Sequence, residues 1–188
     1  MVGIILFRAQ PFHNGHLAQI KRAFEDMRKM DGDLYVIVGS ADKFGTRRNP
    51  IPIDVRLDLI TNTLEEEFSY KQRQHLKMAA LNDLLDEANN NYSWGQYLYD
   101  NLCRITEDKD FVFYYSDKPE IALSWFSEMI RDHIWFKFLS RVNDINATLV
   151  RQCLNSLTED DYITLREVLP DYVYGKISEL HNYIIHAR

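Results

Sequence analysis

Two rhythms of apolar residues alternate along the chain. Val2–Phe7 is an unbroken apolar run, as expected of a strand buried on both faces. Leu17, Ile20, Phe24 and Met27 then recur at helical spacing, until Asp31-Gly32-Asp33 breaks the pattern. Leu34–Val38 predicts a second buried strand, closed by Gly39-Ser40, and residues 41–52 a loop. Pro52 can open the next helix, whose stripe is Leu57, Ile60, Leu64 and Phe68. His75–Leu81 is a weaker third strand. Ser93 can cap a helix carrying Trp94, Leu98, Leu102 and Ile105. Phe111–Tyr115 and Ile134–Leu139 predict strands four and five. Between them Pro119 opens a helix with Ala122, Trp125, Phe126 and Met129. From about 147 to 188 the pattern is helical: Thr158 caps one helix, Leu169-Pro170 breaks it, and Val173, Ile177, Leu180 and Ile184 stripe the last.

Repeated strand–helix units predict an α/β fold: a five-stranded parallel sheet flanked by helices, with right-handed crossovers and a helical C-terminal segment. In such sheets ligands bind beyond the carboxyl ends of the strands, where the strand order reverses. The loops after strands one to four are therefore the places to look for chemistry.

Composition narrows the function classes. At 188 residues the chain is the size of one domain with a substantial core. Its net charge of −6 argues against general nucleic-acid binding, which favours a basic face. Any site for a polyanion must therefore concentrate positive charge locally. Two cysteines fifty residues apart, Cys103 and Cys153, with no CxxC, fit a reduced cytoplasmic protein. The N-terminal apolar run is too short for a signal peptide, and no segment is long enough to span a membrane.

The densest chemistry follows the first strand, in Arg8-Ala9-Gln10-Pro11-Phe12-His13-Asn14-Gly15-His16. The chain turns there from a strand into a helix starting near Asn14 or Gly15. Such a turn aims backbone N–H groups and a positive helix end at one point, which suits a phosphate. Gly15 lets a ligand approach the backbone closely. Taken alone, two histidines three apart are often a polar helix edge. A zinc site is disfavoured, because no cysteine or His-Glu-x-x-His spacing supplies further ligands.

His-x-Gly-His after a first strand resembles the signature of the adenylyl- and cytidylyltransferase superfamily, whose fold is Rossmann-like. The fuller string is most similar to the archaeal-type nicotinamide mononucleotide adenylyltransferases. Their usual opening, Gly-Arg-Phe-Gln-Pro-Phe-His-x-Gly-His, differs here at Phe7 and Ala9. Further likenesses lie downstream. Gly39-Ser40, the Asn49-Pro50 pair and Arg56 occur in the family's order. Ile145-Asn146-Ala147-Thr148-Leu149-Val150-Arg151 is similar to the second signature, Ile-Ser-x-Thr-x-Ile/Val-Arg. Tyr115-Ser116-Asp117-Lys118-Pro119 resembles a Ser-x-Asn-Pro turn beside the adenosine. Ser93-Trp94 and Asp83 resemble residues near the pyridine nucleotide. Each has a plainer reading: a solvated basic loop for residues 43–56, a capped helix with a surface arginine for 146–151, a core tryptophan for Trp94.

The resemblance implies a single nucleotidyltransferase domain over 1–188 that joins ATP and nicotinamide mononucleotide into NAD and pyrophosphate. It implies catalytic roles for His16, His13 and Arg151. ATP would be bound by Arg8, Gln10, Gly15, Ser116, Asn146 and Thr148, and the acceptor by Ser40, Asn49, Arg56, Asp83 and Trp94. Mg²⁺ would be bound mainly through ATP, with no metal cage of the protein's own. Three alternatives stay open: another phosphate acceptor in the same superfamily (phosphopantetheine, flavin mononucleotide or a cytidylyl transfer), a non-catalytic nucleotide-binding regulator, and a piece of a bifunctional enzyme. No Gly-x5-Glu-x7-Arg-Glu pyrophosphatase box occurs in these residues. A homo-oligomer is compatible with the sequence.

Overall fold

The computed structural model describes residues 1–84, 91–116, 123–141 and 145–188. The expected helix opening at Pro119 with Ala122, and the Asp117-Lys118-Pro119 turn, lie outside the described residues. Five strands form one parallel sheet: β1 (Val2–Phe7), β2 (Asp33–Val38), β3 (Leu76–Ala80), β4 (Phe111–Tyr115) and β5 (Ile134–Phe138). Their order is β3-β2-β1-β4-β5, so the reversal of strand order falls between β1 and β4.

The continuous apolar runs are continuous because both faces of the sheet are covered. Within β1, Ile5 enters one apolar cluster and Ile4 the other. Within β4, Val112 and Tyr114 face one cluster while Phe111 and Phe113 face the opposite one. The apolar side chains of these strands are buried or half-buried against one cluster or the other, and period-2 alternation sorts them between layers. The first layer is built on α1 (Asn14–Lys29) and α2 (Ile53–Glu67) with the C-terminal helices. The second rests on α4 (Asn91–Thr106) and on Phe126 and Ile130.

Some local expectations hold and others are corrected. The first helical stripe, Leu17, Ile20, Phe24 and Met27, is buried. In α2 the buried stripe is Leu59, Ile60, Thr63 and Leu64, and it includes Arg56. A short helix α3 (Tyr70–Arg73) follows, closed by a reciprocal Ser69–Gln72 capping box. Ser93 lies inside α4, two residues after its start, and does not cap it. Beyond the short α5 (Glu128–Arg131) come α6 (Ala147–Ser156) and α7 (Glu159–Val168). Asn146 caps α6 through Leu149 N–H, and Thr158 caps α7 through Asp161 N–H. Pro170 ends α7 as expected, but the last helix divides at Lys176 into α8 (Asp171–Gly175) and α9 (Ile177–Ile185).

Candidate active site

A cavity of about 620 Å³ opens beyond the carboxyl ends of the strands, at the β1–β4 reversal. That size is in the range of small-molecule sites. Its floor is the β1–α1 turn. His13 stands at the N-cap of α1 and His16 in its first turn, with ring centroids stacked 3.7 Å apart. The His13 N–H donates to His16 Nδ1 at 3.3 Å. A ring nitrogen that accepts carries no proton, so the neutral His16 ring holds its proton on Nε2, and the residue lines the cavity. Phe7 and Phe12 pack against His16, at 4.7 and 5.6 Å between centroids.

Both imidazoles are neutral at pH 7. Burial lowers the His13 pKa to about 4, and the charge of Arg141 acts in the same direction. His16 is pushed well below the usual histidine range, first by burial and then by His13. The His13 Nδ1 is buried and has no partner. Gly15 lines the cavity as expected, but its lack of a side chain serves His13 more directly. A Cβ there would stand 3.0 Å from two atoms of the His13 ring. The glycine makes room for the imidazole.

Behind this floor lies a frame of buried polar side chains. Arg56 is fully buried. Its guanidinium donates to the carbonyls of Arg8, Gly39 and Ser40, each at 2.8 Å. It therefore clasps the ends of β1 and β2, and is a positioning group where an acceptor contact was expected. Burial lowers its pKa only to about 10, so it stays charged. Ala9 and Ser40, beside the clasped carbonyls, both hold left-handed backbone, with φ of 52° and 51°. Gln10, expected on ATP, spends its amide on the backbone of Ile51: Nε2 donates to the carbonyl at 3.0 Å and Oε1 accepts from N–H at 2.9 Å. Arg151 donates to the Gln10 carbonyl at 2.8 Å and to Thr148 Oγ1 at 3.2 Å. Neither Arg151 nor Thr148 lines the cavity. Asn49 is also outside the cavity lining, in a turn where its N–H donates to Thr46 Oγ1 at 3.1 Å.

The remaining residues divide between two walls. On the β2–β3 side, Ser40 Oγ donates to Asp83 Oδ1 at 2.8 Å, and Asp83 N–H donates to Asp42 Oδ1 at 2.9 Å. Trp94 joins them and meets Trp125 edge-on, with centroids 6.4 Å apart. The tryptophans meet because α4 crosses Gly95 against residue 125. A Cβ at Gly95 would stand 1.6 Å from the Trp125 carbonyl oxygen. On the other wall lie Arg8, Ser116, Arg141 and the α6 start at Asn146 and Ala147. Of the expected site residues, Arg8, His13, Gly15, His16, Ser40, Asp83, Trp94, Ser116 and Asn146 line the one cavity.

Gln19, Trp125 and Arg141 also line it and were missed. Arg141 follows the end of β5, a carboxyl strand end like those searched, so its position was the available signal. Trp125 was absorbed into a helical stripe. Gln19 lies one turn beyond Gly15, and no motif marks it. Among the described residues no three His, Cys, Asp or Glu side chains gather as a metal cage needs. Among the described residues no helix is long and apolar enough to cross a membrane.

A nicotinamide-nucleotide adenylyltransferase from Thermococcus sibiricus is 30% identical over 98 residues, which is 52% of this chain and 47% of that one. One from Haloarcula marismortui is 28% identical over 122 residues, 65% of this chain and 55% of that one. The matches thus span about half the length of these relatives. A crystal structure of a bifunctional NMN adenylyltransferase/ADP ribose pyrophosphatase from Francisella tularensis, complexed with AMP and a Mn ion, shares the fold. Its TM-score is 0.73 at 15% identity, over 98% of this chain and 51% of that one. Residues 8–153 match the cytidylyltransferase-like family, a segment that opens on the His13/His16 turn and closes just past Arg151. By that match, which takes in the floor and both walls of the cavity, the chain belongs to the cytidylyltransferase-like family.

Proposed function

We propose that this protein is an adenylyltransferase that joins ATP and nicotinamide mononucleotide to form NAD and pyrophosphate. An oxygen of the mononucleotide's phosphate attacks the α-phosphorus of ATP. The bond from that phosphorus to the β-phosphate oxygen breaks, and pyrophosphate leaves. An ionised phosphate is already a nucleophile, so no general base is needed. Catalysis is alignment plus stabilisation of charge on the α-phosphate and leaving group.

One observation carries the reading. His16 sits in the first turn of α1 with Nδ1 engaged by His13 N–H, which leaves a neutral Nε2–H donor at a positive helix end. That donor suits the α-phosphate. Arg8 and Arg141 supply positive charge on the wall where the triphosphate would lie, with Ser116 and Asn146 toward the adenosine. The opposite wall suits a pyridine nucleotide. A pyridinium is cationic, and the Trp94–Trp125 faces beside the Asp83 carboxylate favour a flat cation. Asp83 can accept from a carboxamide N–H. Mg²⁺ would travel with the triphosphate and neutralise part of its charge, held mainly by substrate and water rather than by a protein cage. The names of the relatives point the same way. Residues 1–188 then act as one nucleotidyltransferase domain, and the two free cysteines accord with a cytoplasmic setting.

The test is to supply ATP, Mg²⁺ and a panel of acceptors and follow pyrophosphate release. Nicotinamide mononucleotide should be used well above phosphopantetheine or flavin mononucleotide; equal turnover with either rejects the acceptor assignment. His16→Ala should lower turnover roughly 100- to 1,000-fold, the usual loss for one preorganised donor, with ATP affinity little changed. Near-normal turnover in a folded variant would remove the chemical role of His16.

A further inference from the structure

The histidines and Arg141 belong to different elements, α1 and the exit of β5, yet they line the same cavity, the histidines on its floor and Arg141 on the adjoining wall. Two side chains on the outer face of α1 join those elements. Asp26 Oδ2 accepts from Lys137 Nζ of β5 and from Tyr114 Oη of β4, each at 2.6 Å. One turn earlier, Arg22 donates to both the carbonyl and the Oγ of Ser140, each at 3.0 Å. Ser140 immediately precedes Arg141, and Arg141 is close enough to depress the His13 pKa. Residues 22 and 26 are four apart, so they share a face of the helix that carries His13 and His16 at its start.

From this we infer that Arg22 is a positioning residue for ATP: by holding Ser140 from outside, it sets where the Arg141 guanidinium stands over the triphosphate. Arg22 is exposed and does not line the cavity, so it touches no substrate. Asp26 fixes the body of β5 against α1, and Arg22 fixes the first residues beyond it. Both bonds come from one nitrogen, Nη1, whose two N–H groups reach the carbonyl and the hydroxyl of the same residue. Loosening the strap leaves Arg141 in place chemically but spreads its positions, and the ordering is then paid on binding.

The inference rests on the adenylyltransferase reading only for the identity of the anion, so the test measures ATP binding without an acceptor. Calorimetric titrations with ATP and Mg²⁺ would compare wild type, Arg22→Ala, Arg141→Ala and the double variant. Loss of the Arg141 charge should weaken ATP roughly tenfold, as for a charge-assisted contact. Arg22→Ala should weaken it by about three- to fivefold, a fraction of that contact. The double variant should match Arg141→Ala alone, because the strap acts only through Arg141. Nicotinamide mononucleotide affinity should not change in any of them. A surface bond that only stabilised the fold would lower the melting midpoint and leave ATP affinity alone. Unchanged ATP affinity in Arg22→Ala overturns the inference, as does a full Arg22 effect persisting in the Arg141→Ala background. If wild type binds ATP and the coupling is absent, this inference alone fails. If wild type binds no ATP, the adenylyltransferase reading falls with it.

Discussion

Replacing Arg56 with leucine separates a framework role from a ligand role. The side chain is fully buried and its three N–H···O contacts, all 2.8 Å, end on the carbonyls of Arg8, Gly39 and Ser40. Leucine abandons all three oxygens. Each buried carbonyl left without a donor costs about 1–3 kcal/mol. The Arg8 carbonyl is only partly buried and can take a water, and a buried guanidinium with its Nε unpartnered is no longer desolvated. These offsets bring the net loss to about 3–5 kcal/mol, the range for breaking a buried charged cluster by removing one member. In a chain of this length each kcal/mol lowers the melting midpoint by about 2–4 °C, so a fall of roughly 6–20 °C is expected. Arg56→Lys should fall between, because one ammonium cannot reach three carbonyls in a fixed fork. The assay is thermal unfolding of the two variants beside wild type, with acceptor and ATP affinities at a temperature where all are folded. Acceptor affinity should suffer with stability, since the clasp holds Ser40 in its left-handed turn next to Asp83. An unchanged midpoint with lost acceptor binding would show that Arg56 faces the ligand after all and refute the framework argument.

Acid should weaken the fold through the same floor. The folded pKa of His13 is about 4 against 6.5 in an open chain, so protons favour the unfolded state between those values. Its contribution is therefore complete above pH 6.5 and declines by about 3 kcal/mol as pH falls to 4. His16 acts in the same direction. Chemical denaturation across pH 4 to 7 should show this slope, and His13→Gln should flatten it; an unaltered slope in the variant would contradict the burial argument. Gly95→Ala tests the α4 crossing. Helix propensity alone would stabilise it by about 1 kcal/mol. A Cβ 1.6 Å from the Trp125 carbonyl oxygen instead forces backbone apart, typically costing about 1–3 kcal/mol. A lower midpoint with weaker acceptor binding is expected, and a stabilised protein would be the refuting result.

What the sequence made legible follows from how completely each segment is covered. Val2–Phe7 and Phe111–Tyr115 were readable residue for residue, because strands buried on both faces tolerate almost no polar interruption. β3 is an edge strand of half-buried and exposed positions, so its apolar signal was diluted and its ends were misjudged by a residue. The helix at Tyr70–Arg73 is too short for periodicity, although Ser69 and Gln72 carried the capping-box spacing. Gly175 ends α8 directly before the division at Lys176, a stop signal that the continuing apolar stripe of Val173, Ile177 and Leu180 overrode in the sequence. In the candidate site, motif likeness picked out nine residues that line one cavity. It could not distinguish a side chain facing the cavity from one facing away, since a donor suits a phosphate and a backbone carbonyl equally.

That ambiguity explains Gln10, Arg56 and Arg151 together. Each lies next to the cavity in sequence or space, and each spends at least one strong donor on main chain. The segment they hold demands it. Ala9 and Ser40 occupy left-handed backbone without the freedom of glycine, a conformation that persists only where surroundings overdetermine it. Arg56 fixes the turns that follow β1 and β2, Gln10 ties the first turn to Ile51, and Arg151 ties it to α6. The result is a floor whose imidazoles are set before any substrate arrives. A donor aimed in advance at developing charge needs no reorganisation when that charge appears, and this is where such donors gain their catalytic value. The polar residues of the motif thus fall into two groups with one purpose: His13 and His16 face the cavity, and the amide and guanidinium groups behind them keep the backbone still.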